Sequence, residues 1–134
     1  MKMSSKARYG LYVAVELAKN YHVDTLVNVT NLSQATGVTE KYLEQIIALM
    51  KKAQIVSATR GASGGYMLTE SPDNITVGRV LRAVEDNLEI VDCLHSDCAN
   101  RGKCVARNLW GKLYDNINSY LDTITLTQLA EDNI

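Results

Sequence analysis

Residues 31–69 read NLSQATGVTEKYLEQIIALMKKAQIVSATRGASGGYMLT, and the order of local signals in this stretch indicates the architecture. Asn31 and Gln34 have the spacing of a capping box, which predicts a short helix that Gly37 ends. Thr39 then caps a longer helix. Two helices joined by a short turn that contains glycine are typical of a helix-turn-helix, whose second helix lies in the major groove of DNA.

The helix after Thr39 has an apolar side and a polar side. Its apolar residues recur at three- and four-residue steps and predict the core face: Leu43, Ile46, Ile47 and Met50. Its polar residues near the N-terminus are expected to face outward: Glu40, Lys41, Glu44 and Gln45. The first residues of a recognition helix reach base edges. The same spacing occurs in other three-helix cores, so the helix alone does not establish DNA binding.

A glycine-rich hairpin follows directly. Two β-like runs, 55–59 and 66–69, flank the sequence RGASGG at 60–65. Its glycines would let the tip approach a phosphate backbone or enter a narrow minor groove, and Arg60 supplies the positive charge that such a groove attracts. An ordinary flexible hairpin is the alternative. Its position immediately after the helix-turn-helix favours the wing of a winged helix.

The flanking segments add further helices. Ser4 or Ser5 can cap a first helix that ends between Asn20 and Val23, with a basic start and an apolar face of Leu11, Ala14, Val15 and Ala18. A turn at 71–74 precedes a helix that Thr76 caps, with an apolar face of Val77, Val80, Leu81 and Val84. We therefore expect a mainly α fold with a small β-hairpin wing. A winged helix-turn-helix domain would span 1–75, and 76–134 would hold a cysteine loop and a dimerisation helix.

A long apolar stripe follows the cysteines. Its members recur mostly at four-residue steps, with Trp110, Tyr114 and Tyr120 alongside: Val105, Leu109, Leu113, Ile117, Leu121 and Ile124. The stripe is too long for the core of so small a domain. It predicts a helix that packs on the equivalent helix of a second copy, through Leu109, Trp110, Leu113, Ile117 and Leu121. The alternative is that this helix folds back on its own domain.

Composition excludes several classes of protein. The 134 residues are 46% hydrophobic, enough for a real core. Charged residues interrupt the first twenty positions and no apolar run approaches the ~20 residues of a membrane span, so a cytoplasmic protein without membrane contact is expected. The two histidines, His22 and His95, form no triad pattern, and no phosphate-binding loop or paired-carboxylate motif occurs, which argues against an enzyme.

Charge divides the chain into two unlike parts. Residues 1–82 hold ten Lys/Arg against six Asp/Glu, a balance of +4, while 83–134 hold four against nine, a balance of −5. This asymmetry favours a first part that faces DNA and a second part with another role. Two differently solvated surfaces would give the same numbers.

The segment CLHSDCANRGKC at 93–104 places three thiols, Cys93, Cys98 and Cys104, within twelve residues. Thiolates favour iron–sulfur clusters, zinc or copper(I). The tight Cys-x2-Cys pairs of most structural zinc sites are absent, and the neighbouring residues are too polar for three merely buried cysteines. The pattern therefore favours an iron–sulfur cluster, with zinc and incidental cysteines as alternatives.

Taken together, six motifs in order resemble the Rrf2 family of bacterial transcription regulators from end to end. They are Ser5-Lys6-Ala7-Arg8-Tyr9, Tyr42-Leu43-Glu44-Gln45, Arg60-Gly61 with Gly64-Gly65-Tyr66, Val77-Gly78, the three cysteines and Leu109-Trp110. The resemblance implies a homodimeric repressor or dual regulator that binds a palindromic operator in double-stranded DNA. It also implies that the three cysteines ligate a cluster, with 2Fe–2S favoured over 4Fe–4S.

The resemblance also implies roles at the DNA. Glu44 and Gln45 would read bases and Arg60 would contact DNA from the wing, which agrees with the preference of Gln for adenine and of Glu for cytosine. The full set of predicted DNA-binding residues is Lys6, Arg8, Lys41, Tyr42, Glu44, Gln45, Arg60, Gly61, Gly64 and Gly65.

The chain departs from the family at the fourth cluster ligand. Cluster-binding members carry a histidine three residues after the last cysteine, where this chain has Arg107, and a nitric-oxide-sensing member uses an aspartate where this chain has Arg8. Local alternatives are His95, Asp92 and Asp97, a water or a small thiol. Three functions follow: a repressor of iron–sulfur assembly genes, a nitric-oxide or redox sensor, and a repressor controlled by a partner protein, with structural zinc or no metal.

Overall fold

The computed structural model describes residues 2–21, 25–86 and 88–134, and it confirms a mainly α-helical fold with a small antiparallel hairpin. Among these described residues, short 3-10 helices at Pro72–Asn74 and Asp92–Leu94 accompany the main elements. The main elements are α1 (Ser5–Lys19), α2 (Val29–Thr36), α3 (Glu40–Lys52), β1 (Val56–Thr59), β2 (Gly65–Leu68), α4 (Val77–Val84), α5 (Arg107–Thr123) and α6 (Leu126–Ala130).

Side-chain caps begin three of these helices where the sequence predicts. Ser4, Thr39 and Thr76 each accept a hydrogen bond from a backbone N–H in the first turn of α1, α3 and α4. Gly37 ends α2 in the left-handed conformation, with φ of 74°. Asn20 is the C-cap of α1. Residues 22 and 23 of the predicted end, 20–23, lie outside the described residues.

The predicted start of α2 is wrong. Asn28, three residues before Asn31, caps the helix, and its side-chain oxygen accepts from the Asn31 N–H at 2.8 Å. The reason lies in the preceding residue. Val27 is paired with Tyr66 of β2 through two backbone hydrogen bonds of 2.9 and 2.8 Å, so the chain leaves an extended pairing at Val27 and enters the helix at once.

One face each of α1, α3 and α4 supplies most of the core, and Leu32 of α2, Leu68 of β2 and Leu126 of α6 contribute to the rest. The predicted apolar faces of α3 and α4 are fully buried, which confirms them. The predicted face of α1 is only half right, because Leu11 and Val15 are partly exposed and line a groove beside α2 and α6. The buried stripe of α1 is instead Ala7, Gly10, Val13, Ala14, Leu17 and Ala18.

The hairpin pairs Val56 with Leu68 at its base and Thr59 with Gly65 at its tip. All three of its glycines are sterically required, and a Cβ on Gly64 would lie only 2.1 Å from the Thr59 carbonyl oxygen. Gly61 has φ of 111°, a conformation that residues with a Cβ rarely adopt. A Cβ on Gly65 would lie 2.8 Å from the carbonyl oxygen of Val27, so only glycine lets the wing pair with the segment before α2.

The end of the chain returns to the start of α4. The Val77 N–H donates to the Ile124 carbonyl at 2.8 Å, and the Leu126 N–H donates to the Ile75 carbonyl at 2.9 Å. Leu126 is fully buried, and α6 packs against α1. A single core therefore draws side chains from both 1–75 and 76–134, and the division of the chain at residue 75 stays a prediction.

Helix α5 is shorter than the predicted stripe. Val105 precedes the helix and is completely exposed, and Ile124 follows its last residue. Every residue inside α5 keeps some exposure to solvent. Neither α5 nor any other helix in the described ranges is long and apolar enough to cross a membrane.

Candidate DNA-binding surface and cysteine loop

The turn between α2 and α3 is fixed by two side-chain hydrogen bonds. The Ser33 hydroxyl donates to the Val38 carbonyl at 2.6 Å, and the Thr30 hydroxyl donates to the Glu40 carboxylate at 2.9 Å. These bonds set the angle at which α3 leaves the turn. Glu40 is thereby engaged with α2, so it is less available for DNA than the residues that follow it.

The start of α3 presents an open polar surface. Lys41, Glu44 and Gln45 are exposed, and none of the three forms an ion pair with another described residue. Tyr42 is half-buried, and its ring meets that of Tyr9 edge to face, with centroids 6.2 Å apart. Of the four predicted contacts on this helix, Tyr42 therefore also has a structural role, because it joins α3 to α1.

This aromatic contact brings the basic start of α1 beside the start of α3. The Arg8 guanidinium lies over the Tyr9 ring, 5.6 Å from its centroid, and donates to the Ser5 hydroxyl at 3.3 Å. Lys6 is half-buried, and Arg8 is exposed. Cations next to a recognition helix are placed to contact phosphates.

The wing carries the remaining predicted DNA contacts. Arg60 and Gly61 are exposed at the tip of the hairpin, and Gly64 and Gly65 are partly covered by the turn. Arg60 makes no salt bridge with the described residues, so its charge remains available to a ligand.

The three cysteines share one loop but lie in different surroundings. Cys93 belongs to the 3-10 turn Asp92–Leu94, Cys98 is half-buried, and Cys104 is exposed just before α5. All three are free of disulfide bonds. Local turns fold the segment between them, with the Arg101 N–H donating to the Cys98 carbonyl at 3.0 Å.

The donor chemistry of this loop fits a metal centre with three thiolates, but the loop is not folded as a ligand cage. Across 2–21, 25–86 and 88–134, no three His, Cys, Asp or Glu side chains are gathered closely enough to hold a metal ion. The three thiols would have to converge for ligation. Exposed local turns leave them free to do so, because few buried contacts hold residues 96–104.

Of the predicted fourth ligands, His95 makes contacts away from the thiols, and the two aspartates are exposed. The His95 ring donates from Nδ1 to the Glu89 carboxylate and meets the Tyr114 ring edge to face at 5.3 Å. Asp92 and Asp97 are exposed. Arg107 donates from its two terminal guanidinium nitrogens to the carbonyls of Cys93 and Leu94, each at 3.0 Å. Sequence reasoning missed the contact of Arg107, which joins residues thirteen and fourteen positions apart.

Helix α5, which follows the cysteine loop, carries an apolar surface that is not covered by the rest of the protein. Leu109 and Tyr120 are each 59% exposed, and Trp110, Leu113 and Ile117 are half-buried. Leu121 packs against the core. The end of α5 is anchored to α4 by the Arg82 guanidinium, which donates to the Asn118 side chain at 3.0 Å and to the Asp122 carboxylate.

Comparison with known proteins gives concordant matches over nearly the whole chain. A family model described as Rrf2, iron-dependent transcriptional regulator, matches residues 3–132. The transcriptional regulator CymR of Bacillus subtilis is 36% identical over 130 residues, which cover 97% of this chain and 90% of CymR. The solved structure of that global cysteine regulator superposes with a TM-score of 0.81 at 34% identity, covering 98% of this chain and 97% of the other.

Regulators named IscR match the chain as well. The transcriptional regulator IscR of Photobacterium profundum is 34% identical over 134 residues, covering 99% of this chain and 77% of that protein. The structure of T. potens IscR superposes with a TM-score of 0.80 at 33% identity, covering 100% of this chain and 89% of the other. Both sets of relatives share the helical architecture and the hairpin described above.

Proposed function

Because the chain belongs to the Rrf2 family of transcriptional regulators, we propose that it is a cytoplasmic homodimeric repressor whose operator binding reports iron–sulfur status. The general function, a DNA-binding winged-helix regulator rather than an enzyme, follows from family membership. The observation that carries the proposal is that a loop with three free cysteines leads directly into the uncovered apolar helix α5.

At the DNA, the exposed residues divide into two groups. Gln45 and Glu44 on α3 would read base edges in the major groove, and Arg60 would reach DNA from the wing. Lys6 and Arg8 at the start of α1, together with Lys41, would neutralise phosphates. The glycines of the wing tip allow the backbone of the hairpin to come close to the DNA.

Gln45→Ala and Arg60→Ala are each expected to weaken binding to the specific operator by about 1 to 3 kcal/mol, because each removes a sequence-reading contact. Binding to random-sequence DNA should change little. Fluorescence anisotropy with both DNAs at several salt concentrations measures the difference.

Lys6→Ala is the matched control for these two variants. Losing a phosphate contact should weaken both DNAs alike and reduce the slope of the salt dependence by about one. An equal loss of specific and random binding in Gln45→Ala would contradict its assignment as a base reader.

In the cysteine loop, Cys93, Cys98 and Cys104 would hold the cluster, of the 2Fe–2S type. The bound cluster would supply visible absorption and sensitivity to iron supply and oxidants. The chain itself supplies the coupling, because the loop runs without interruption from Cys104 into α5, which begins three residues later at Arg107. Ordering the loop would bias the angle between the two protomers, so cluster and operator should affect each other's affinity reciprocally by roughly 1 to 3 kcal/mol.

Anaerobic purification tests this proposal. Iron, sulfide and visible absorption are measured first, and operator binding is then compared with and without the cluster. The proposal expects stoichiometric iron and sulfide and a difference in operator affinity. The cluster-loaded protein is then exposed briefly to nitric oxide. Loss of the spectrum together with a change in operator affinity under this treatment would identify nitric oxide as the signal instead.

A repressor controlled by a partner protein is the second candidate function. The two hydrogen bonds from Arg107 favour it, since they engage with backbone carbonyls the side chain at the position where cluster-binding members carry a histidine. In that case the purified protein would contain zinc or no metal, and operator affinity would be the same before and after chelation. Metal analysis therefore separates the two candidates.

A further inference from the structure

We propose that Arg107 is a positioning residue that fastens the start of the cysteine loop to α5. Its guanidinium donates to two successive carbonyl groups, those of Cys93 and Leu94, at 3.0 Å each. Arg107 is the first residue of α5, so the contact closes the loop onto the end of the helix that the loop leads into.

The chemistry of the contact suits arginine. A guanidinium presents its N–H groups in a rigid planar fork, so one side chain can reach two acceptors at once. Its positive charge strengthens both hydrogen bonds, and Arg107 is half-buried, which limits competition from water. Histidine, amide or lysine side chains do not reproduce two parallel bonds from a charged fork.

A second contact fixes the same turn further along α5. His95, the residue after the 3-10 turn, packs its ring against Tyr114, seven residues after Arg107. Positions seven apart lie on the same side of a helix. The turn Asp92–Leu94 is therefore seated along one side of α5, where Arg107 binds Cys93 and Leu94 and the next residue, His95, packs on Tyr114.

The rest of the loop contrasts with this seated part. Residues 99–105 are exposed, and the hydrogen bonds in this stretch join near neighbours, such as the Cys104 N–H to the Asn100 carbonyl at 2.8 Å. Arg101 and Lys103 are exposed cations without an ion pair to any described residue. Arg107 thus orders the Cys93 end of the loop and leaves the Cys104 end open.

Hydrogen exchange on the metal-free protein, treated with chelator and reductant, tests the inference. In Arg107→Gln, backbone amides of residues 93–98 should exchange about tenfold faster than in the unmodified protein, because two charge-assisted hydrogen bonds are lost. Amides of α3 should exchange at unchanged rates. Arg101→Gln removes an equivalent exposed charge from the same loop and should leave exchange unaltered.

Arg107→Lys keeps the positive charge but has a single ammonium group in place of the planar fork. Exchange at 93–98 in this variant should therefore be faster than in the unmodified protein and slower than in Arg107→Gln. If Arg107→Gln unfolds, exchange in α3 will report it, and Arg107→Lys then decides the question. The inference is overturned if residues 93–98 exchange at the unmodified rate in both Arg107→Lys and Arg107→Gln. It is also overturned if Arg101→Gln accelerates exchange at 93–98 as much as Arg107→Gln does. Because no metal is present in the measurement, its outcome is independent of whether the cysteines bind a cluster.

Discussion

Replacing Leu109 and Leu113 together by glutamate is expected to convert the protein to monomers and to lower its affinity for a palindromic operator a hundredfold or more. A dimer binds two half-sites about one turn of DNA apart, ~34 Å, and the second contact is made at a high effective concentration. A monomer keeps only the affinity of one half-site. Analytical ultracentrifugation and operator titrations measure the two effects.

The structure explains the choice of these two leucines. Leu109 is 59% exposed and Leu113 is half-buried, and neither belongs to the side chains packed on the hydrophobic core. Their replacement should therefore leave the protomer folded. Leu121, by contrast, packs on the core, so its substitution would mix effects on dimerisation with effects on stability.

Asn108→Glu with Ser119→Glu is the matched control, because it adds the same two charges to exposed polar positions of α5. This control should remain dimeric and bind the operator normally. If the Leu109/Leu113 double variant still sediments as a dimer, the interface lies elsewhere on the molecule.

The second large effect concerns the cysteines. Cys93→Ala, Cys98→Ala and Cys104→Ala are each expected to abolish the visible absorption and the bound iron of anaerobically purified protein, since the cluster depends on three thiolate ligands. Operator affinity in each variant should match that of the unmodified protein after its cluster is removed. Iron analysis, absorption spectra and anisotropy titrations give the three readouts.

Stability separates loss of the cluster from loss of the fold. Cys104 is exposed and the other two cysteines are half-buried, so the free energy of unfolding of the metal-free protein should change by about 0.5 kcal/mol or less. His95→Ala serves as a comparison, because His95 is bonded to Glu89 rather than aimed at the thiols. If any one of the three Cys→Ala variants retained as much iron as the unmodified protein, the three-thiolate assignment would be contradicted.

The reliable part of the sequence interpretation rests on local chemistry. Thr39 and Thr76 begin α3 and α4 as predicted, because an N-cap acts within three residues of itself. The start of α2 was wrong by three residues, since the cap at Asn28 depends on the pairing of Val27 with the distant Tyr66. The apolar face of α1 was only partly identified for a similar reason, as α6 comes from the far end of the chain to pack there.

The cysteine loop shows the same limit more sharply. Spacing alone identified the three thiols as one candidate site, and their residue type pointed to soft-metal chemistry. The partners of Arg107 and His95 could not be inferred, because carbonyl groups leave no trace in a sequence pattern and Tyr114 lies on another element. Such contacts depend on how the loop is seated on α5, which no periodicity encodes.

The return of Leu126 to the core has a consequence for how the protein is made. Leu126 is fully buried beside residues of the first helices, yet a ribosome synthesises it only after the whole of α5. When only α1 to α4 of a nascent chain have emerged from the ribosome, part of the core is missing. Apolar side chains that Leu126 would cover are then exposed to solvent. Folding of the first helices therefore depends on the synthesis of α5 and α6. Translation that stops before α6 should yield a product prone to aggregation or proteolysis rather than a free DNA-binding fragment.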